Sequence, residues 1–434
     1  MRLTCLYAVL GFVFLVSPAN ADHHNGYQEL SDILIKVYES NPTLMAAREE
    51  LKETKELYPQ ARAGWLPSVT GETSIYASDI DNSNFGGADG ATTKDLSLSV
   101  DQPIWRGGRT FAETKRAKEL IHAGEAVLRE AEQDIFLETV TVYMNVLRDK
   151  ELQELRRQNE GILMRELRAA WERMDIGDIT DTDVQQAKAR LSRAKSEHIE
   201  AKKESEISHA EFEQVTGIKP PDKLMVPYMK LGIPPTLGEM FTMAENRNAA
   251  LSIAKFEQSA SEHNADAVFR ELLPQVSAFA SFNQQYDPQP GIVEDSRNQT
   301  VGLRASIALY QGGATRSRHR EARHTAKRRA YEIQETRRRV KQEVISNWRS
   351  YEAAKAQTET RKEEIEAAEK ALKGVREEAR IGQRTVLDIL DADQEVIDAK
   401  ISLSKARRNE TVAMFALAAS LGLLDTGLLQ SVSR

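Results

Sequence analysis

The sequence predicts a mainly α protein with a small β part, built as two tandem structural repeats. Each repeat carries two strands long enough to cross a membrane and long coiled-coil-like helices. Three observations lead there. Landmarks recur 205 to 207 positions apart: Asn41 with Asn248, Leu66-Pro67 with Leu273-Pro274, Gly107-Gly108 with Gly312-Gly313, Ile176-Gly177 with Ile381-Gly382, Thr180 with Thr385, and Asp183 with Asp388. The 434 residues are 29% charged and only 6% aromatic, a mixture that suits long solvated helices. Beyond the first residues, no segment approaches the ~18 consecutive apolar residues that a membrane-spanning helix needs.

The elements follow in order. Residues 1–21 read as a secretory signal peptide, with Arg2, an apolar run from Leu3 to Val16, and an A-x-A cleavage site at Ala19-Asn20-Ala21. The single cysteine, Cys5, lies inside that run and not in a lipobox-like setting, so the mature chain is expected to lack thiol and disulfide chemistry. The first repeat, 22–218, is expected to hold a helix at about 41–64, strands at about 68–79 and 93–104, and helices at about 109–174 and 181–215. The second, 246–422, repeats the plan with a helix at 246–272, strands at 275–286 and 299–310, and helices at 314–379 and 386–421.

The strands rest on period-two patterns such as Leu96, Leu98, Val100 in the first repeat and Val301, Leu303, Ala305 in the second. Asp79–Gly90 and Asp287–Asn298, rich in Gly, Pro, Asn and Asp, read as loops between paired strands. Gly107 and Gly108, like Gly312 and Gly313, mark strand-to-helix turns behind Trp105 and Tyr310, aromatics that would suit a membrane interface. A helix of about 66 residues makes a rod of roughly 100 Å. The returning helix, about 35 residues, and the early helix, about 24, nearly add up to that length, so the two are expected to stack end to end along the rod. Residues 219–245, with five prolines between Lys219 and Pro235, read as a linker or belt, and 423–434 as a short tail.

At the far end of each long helix lies a tight turn. Gly177 and Gly382 suit left-handed helix caps, and Thr180 with Asp183, like Thr385 with Asp388, forms a capping box. Asp391 lies past the first turn, where neither capping nor the helix dipole needs it, and its plain reading is a solvated face. Arg384 by itself reads as a surface arginine.

Several function classes are excluded. A net charge of -7 and the lack of any phosphate-cradling glycine motif argue against nucleic acid and nucleotide. No nucleophile, base and metal constellation suggests an enzyme or a cofactor. His23 and His24 sit at the mature start, and His319 and His324 are five apart, a poor spacing for one metal, so no metal site is expected. The basic run Arg316–Arg329 reads as a solvated face. A periplasmic coiled-coil scaffold or adaptor remains as the alternative, but it gives no reason for four alternating strands. Those strands cannot close a barrel alone, and open edges are not tolerated in lipid, so other copies must complete the wall. Closure alone permits two copies with eight strands or three with twelve.

The doubled plan, the Asn-Pro-x-Leu opening at Asn41–Leu44, the paired Leu-Pro and glycine landmarks and the second turn IGQRTVLDILDA together resemble the TolC-type outer-membrane factors, over essentially the whole mature chain. The resemblance implies a homotrimer with a twelve-stranded β-barrel in the outer membrane of a Gram-negative bacterium, continued by a helical barrel across the periplasm. It implies a passive exit duct for type I protein secretion or multidrug efflux, docked through a periplasmic adaptor (membrane fusion) protein onto an inner-membrane ABC or RND transporter. It also implies that the two helix turns close the periplasmic tip. By motif, Asp388 and Asp391 resemble the aspartate ring of that aperture, and Arg384, Thr182 and Asp183 resemble members of the gate bonds, with Arg384 reaching Asp183. The family's tyrosine ahead of the second turn is replaced here by Ala379.

Overall fold

The computed structural model describes residues 25–80, 88–221, 223–227, 231–289 and 293–424; the expected signal peptide and all but the first two residues of the expected tail lie outside the described residues. The chain runs α1 (Asn25–Ser40), α2 (Pro42–Lys55), α3 (Leu57–Arg62), β1 (Ser68–Ile80), β2 (Ala88–Arg106), α4 (Arg109–Asp175), α5 (Asp181–Thr216), α6 (Leu237–Arg247), α7 (Ala249–Phe269), β3 (Gln275–Gln289), β4 (Val293–Ser306), α8 (Ala314–Arg380) and α9 (Val386–Ser420). Among the described residues, no helix is long and apolar enough to cross a membrane.

The four strands form one antiparallel sheet in the order β1-β2-β3-β4. Because successive side chains alternate, the register gathers the apolar residues on one face. Leu98 lies opposite Gly71 and Phe282, Val100 opposite Val69 and Ala280, and Leu303 opposite Ala278. Val301 and Leu303 on that face are 85% and 74% exposed. The other face is polar. There the Ser277 hydroxyl donates to Asp101 at 3.2 Å, and Arg304 stacks on Phe279 at 4.7 Å. Phe279 also lies over its cross-strand partner Gly302, 3.0 Å from where a Cβ would stand, so the ring fills the space a side chain would need. β1 and β4 each keep one unpaired edge.

The strands are longer than the composition suggests. Asp287–Asn298 is not a loop over its whole length: β3 runs to Gln289 and β4 starts at Val293. The ladder absorbs the turn-forming residues as an irregularity, with a register shift between Tyr286 and Gln289 and a left-handed φ of 51° at Asp287. β2 likewise starts at Ala88, whereas β4 stops at Ser306 and not near 310.

The early helices also differ. The helix expected over 41–64 is divided into α2, α3 and a 3-10 turn, and the one expected over 246–272 starts only at Ala249. Ahead of it, α6 occupies part of the expected linker, started by the Thr236 cap on Glu239 N–H and stopped where Asn248 turns extended at ψ 128°. α1 stands before Asn41 as α6 stands before Asn248, so each repeat begins one helix earlier than the landmarks imply. Leu30, Ile33, Leu34 and Val37 bury one stripe of α1 in the largest core cluster.

Asn41 and Asn248 make the same joint twice. Asn41 Oδ1 accepts from the N–H groups of Thr43 and Leu44, while Nδ2 donates at 2.9 Å to Val215 O near the end of α5. Asn248 Oδ1 accepts from Leu251 N–H, and Nδ2 donates at 3.1 Å to Ser420 O at the end of α9. Each amide caps one helix and closes the end of another, so α2 follows α5 along α4, and α7 follows α9 along α8. At this level Tyr143 of α4 is fully buried; its hydroxyl donates to Met225 O and accepts from Met225 N–H, which holds the belt against the rod. α7 then lies between α4 and α8, whereas α2 packs on α4.

Asn248→Asp keeps the cap acceptor and removes the donor to Ser420 O, leaving a buried carbonyl against a carboxylate. It should cost about 1–3 kcal/mol, against about 1 kcal/mol for Thr236→Ala, which removes a cap alone. Denaturant unfolding in detergent compares the two, and equal losses would reduce the joint to its cap.

Candidate functional site at the two helix hairpins

The turns between α4 and α5 and between α8 and α9 are built by the same local rules. Gly177 has φ +79°, its N–H donates to Met174 O, and Asp178 N–H donates to Arg173 O, both at 2.9 Å. Gly382 repeats this with φ +79° and the bonds Gly382 N–H to Ala379 O and Gln383 N–H to Glu378 O. These paired bonds finish the orphan carbonyls of each long helix, and the positive φ is why glycine stands there.

The following helices start in capping boxes. Asp183 Oδ2 accepts from Thr180 N–H at 2.9 Å and from its hydroxyl at 2.8 Å, while Thr180 Oγ1 accepts from Asp183 N–H. Asp388 does the same with Thr385, at 2.8 Å to both donors. The backbone N–H of each threonine, and then its hydroxyl, hold both carboxyls below their ordinary value; the nearby Arg384 guanidinium adds to this at Asp388.

Within one chain the gate residues pair differently from the expectation. Arg384 Nε donates at 2.8 Å to Glu378 and not to Asp183, whose carboxylate faces Thr180. Six residues separate Arg384 from Glu378 across the turn, so the pair stays inside one hairpin. Thr182 is exposed. Asp391 is exposed too, but its carboxylate accepts from Arg190 Nη2 of α5 at 2.7 Å, a bond that joins the second hairpin to the first. Beside it Leu390, 2% exposed, packs among Leu163, Leu191 and Ala194 of α4 and α5. Asp393, one turn further, is buried and accepts from Arg376 Nη2 of α8 at 2.8 and 3.1 Å. No sequence signal marks Glu378, Arg190 or Arg376: each pair bridges a turn or two helices, outside the i,i+3 and i,i+4 spacing that a single helix reveals.

Elsewhere, His319 Nδ1–H donates to Ala265 O at 3.2 Å and its ring packs on Phe269, which makes it a joint between α8 and α7. Gly107 and Gly108 have φ +62° and +78°, which lets β2 turn directly into α4, while Gly312 and Gly313, at +60° and +82°, make the same left-handed entry to α8 at the end of the 307–313 connection that follows β4.

A family model described as outer membrane efflux protein matches residues 34–218 and 241–423. The outer membrane efflux protein BepC of Brucella suis is 28% identical over 390 residues, covering 90% of this chain and 84% of that protein. Outer membrane protein TolC of Escherichia coli is 25% identical, covering 92% and 85%. A membrane protein of Pseudomonas aeruginosa has a similar crystal structure, with a TM-score of 0.80 at 17% identity over 91% of this chain and 92% of that one.

Both capping carboxyls are depressed in the folded hairpin, so their contribution is complete above the ordinary value of 3.8 and fades as pH falls through the lower folded value. Amide exchange at the start of α9 should therefore quicken below about pH 4. Asp388→Asn should flatten this dependence, and an unaltered profile in that variant would mean that another group controls the cap.

Proposed function

The chain belongs to the outer membrane efflux protein family, and from that premise we propose that it is the passive exit duct of a tripartite export system, serving type I protein secretion, multidrug efflux or both. The duct lies in the outer membrane of a Gram-negative bacterium and extends into the periplasm. Three copies share one wall: a twelve-stranded barrel among outer-membrane lipids, continued by a tube of helices. A periplasmic adaptor joins it to an inner-membrane ABC or RND transporter, which supplies the energy.

The observation that carries this reading is the sheet, with one apolar face, one polar face and two unpaired edges. An apolar face suits lipid and a polar face a wet lumen, and the edges of β1 and β4 demand copies on either side. α4 and α8 have 67 residues each, about 100 Å of rod, long enough to carry the duct well below the membrane. Fractionation tests the placement: the protein should resist a salt wash and need detergent, whereas a scaffold would leave with salt.

At the tip, three copies would bring Asp388 and Asp391 into a ring of six carboxylates around one narrow hole, which favours a bound cation. Opening must separate hairpins, so a bond between hairpins resists it and a bond inside one does not. Arg190–Asp391 is of the first kind and Arg384–Glu378 of the second. Asp391→Ala in reconstituted trimers should weaken block by di- or trivalent cations from the periplasmic side, and undiminished block would remove Asp391 from the ring. Because an exposed pair is worth about 0.2–1 kcal/mol, Arg190→Ala should raise the open fraction by at most about fivefold. Arg384→Ala should change single-channel conductance less than Arg190→Ala, and a larger change would mean that Arg384 bonds across hairpins in the assembly.

A further inference from the structure

The internal repeat contains the joint between copies, because among the described residues α7 packs along two long helices and its counterpart α2 along one. α7 packs on α4 and α8, and α2 packs on α4. The second neighbour of α2, and the corresponding face of α8, must come from another molecule. The joint α4–α7 shows how that missing joint is arranged, since α8 follows α4 by 205 positions and α7 follows α2 by 207.

Two contacts fix the register of α4 on α7. His122 stacks on Phe256 at a centroid distance of 5.4 Å, and near the membrane end Arg270, just past α7, donates to Gly107 O at 3.4 Å. The helices run antiparallel between them. Transposed by the two offsets, His122 with Phe256 becomes Lys327 with Glu49. Stepping along both helices turn by turn then brings Arg323 to Glu53, Arg320 to Glu56, and on the other side Tyr331 to Met45.

We infer that this stripe of α8 docks on α2 of a second copy of the chain through these four pairs. It rests on the reading that copies share one tube. Arg320, Arg323 and Lys327 are exposed, and among the described residues no ion pair engages them. Glu53 and Glu56 are exposed, and Glu49 holds only an i,i+3 pair to Lys52, with both side chains about 70% exposed. Tyr331 and Met45, 71% and 50% exposed, supply an apolar contact below the charges. No acid lies on the α8 stripe at 320, 323, 327 and 331, and no base on the α2 stripe at 45, 49, 53 and 56. The in-chain joint has no such segregation: its transposed positions are Lys115, Lys118, His122 and Ala126 against His263, Ala260, Phe256 and Ser252. Opposite charge is thus reserved for the joint between molecules, where it selects partner and register and suppresses the sliding of two similar rods. The basic run near the membrane thereby gains a role that solvation does not give it.

Cross-linking tests the register in the full mature chain, which is expected to carry no other cysteine. Lys327→Cys combined with Glu49→Cys should yield disulfide-linked trimers on non-reducing gels after mild oxidation. Lys327→Cys with Glu56→Cys, displaced by about two turns along the same stripe, should not. A charge test guards against strained disulfides: Arg320→Glu with Lys327→Glu should lower the trimer fraction in detergent, and adding Glu49→Lys with Glu56→Lys should restore it. Trimers by native mass spectrometry that give neither the cross-link nor the rescue would overturn the proposed joint while leaving the duct standing. A monomeric mass throughout would overturn both.

Discussion

A backbone amide at the edge of a sheet in hydrocarbon has no water to bond, and the loss of each such bond costs several kcal/mol. The four-stranded sheet has two such edges, on β1 and β4. One chain therefore carries a part of a wall and not a pore. The long helices follow from the same constraint, because Gly107-Gly108 alone join β2 to α4 and the short stretch 307–313, closed by Gly312-Gly313, joins β4 to α8. Whatever closes the strands also fixes where the helices stand.

The repeat answers a packing problem that a single unit could not. A rod of 67 residues exposes too much of its surface to stand alone, and each is flanked along its length by two shorter helices laid end to end. The weak place in such an arrangement is the butt joint, where one helix leaves carbonyls unsatisfied and the next leaves amides unsatisfied. One asparagine side chain carries both a donor and an acceptor, so Asn41 and Asn248 serve both ends at once. An aspartate or serine at that place could supply the cap but not a comparable two-sided link.

Much of this was legible in the sequence. The offsets placed the strands, the rods and both turns because helices and hairpins are set by local pattern, and the capping boxes at Thr180 and Thr385 appear in the structure as bonded pairs. α1 and α6 went unread, since short helices bury a stripe only through partners distant in sequence, and α6 lies beside a proline-rich stretch. The expected strands are too short on their loop side, because turn-forming residues are compatible with a ladder once pairing has begun, and too long at the end of β4, where the ladder stops at Ser306. Among site residues, the bonds of Asp183 and Asp388 within three residues were readable. The partners of Arg384 and Asp391 were not, since they depend on how a hairpin folds back and how two hairpins lie together.

The balance at the tip can be argued from magnitudes. Near the turns the second hairpin is tied to the first, within one chain, by an exposed ion pair and by Leu390 in its apolar niche, with Asn159–Gln394 and Ser404–Glu151 further along α4 and α9. The ion pair contributes at most about 1 kcal/mol, whereas full burial of a leucine is worth about 1.5–3 kcal/mol. The apolar contact is the larger hold, and it is also the one that salt does not screen. Breaking Arg190–Asp391 alone is therefore less costly than also lifting Leu390 out of its niche between α4 and α5.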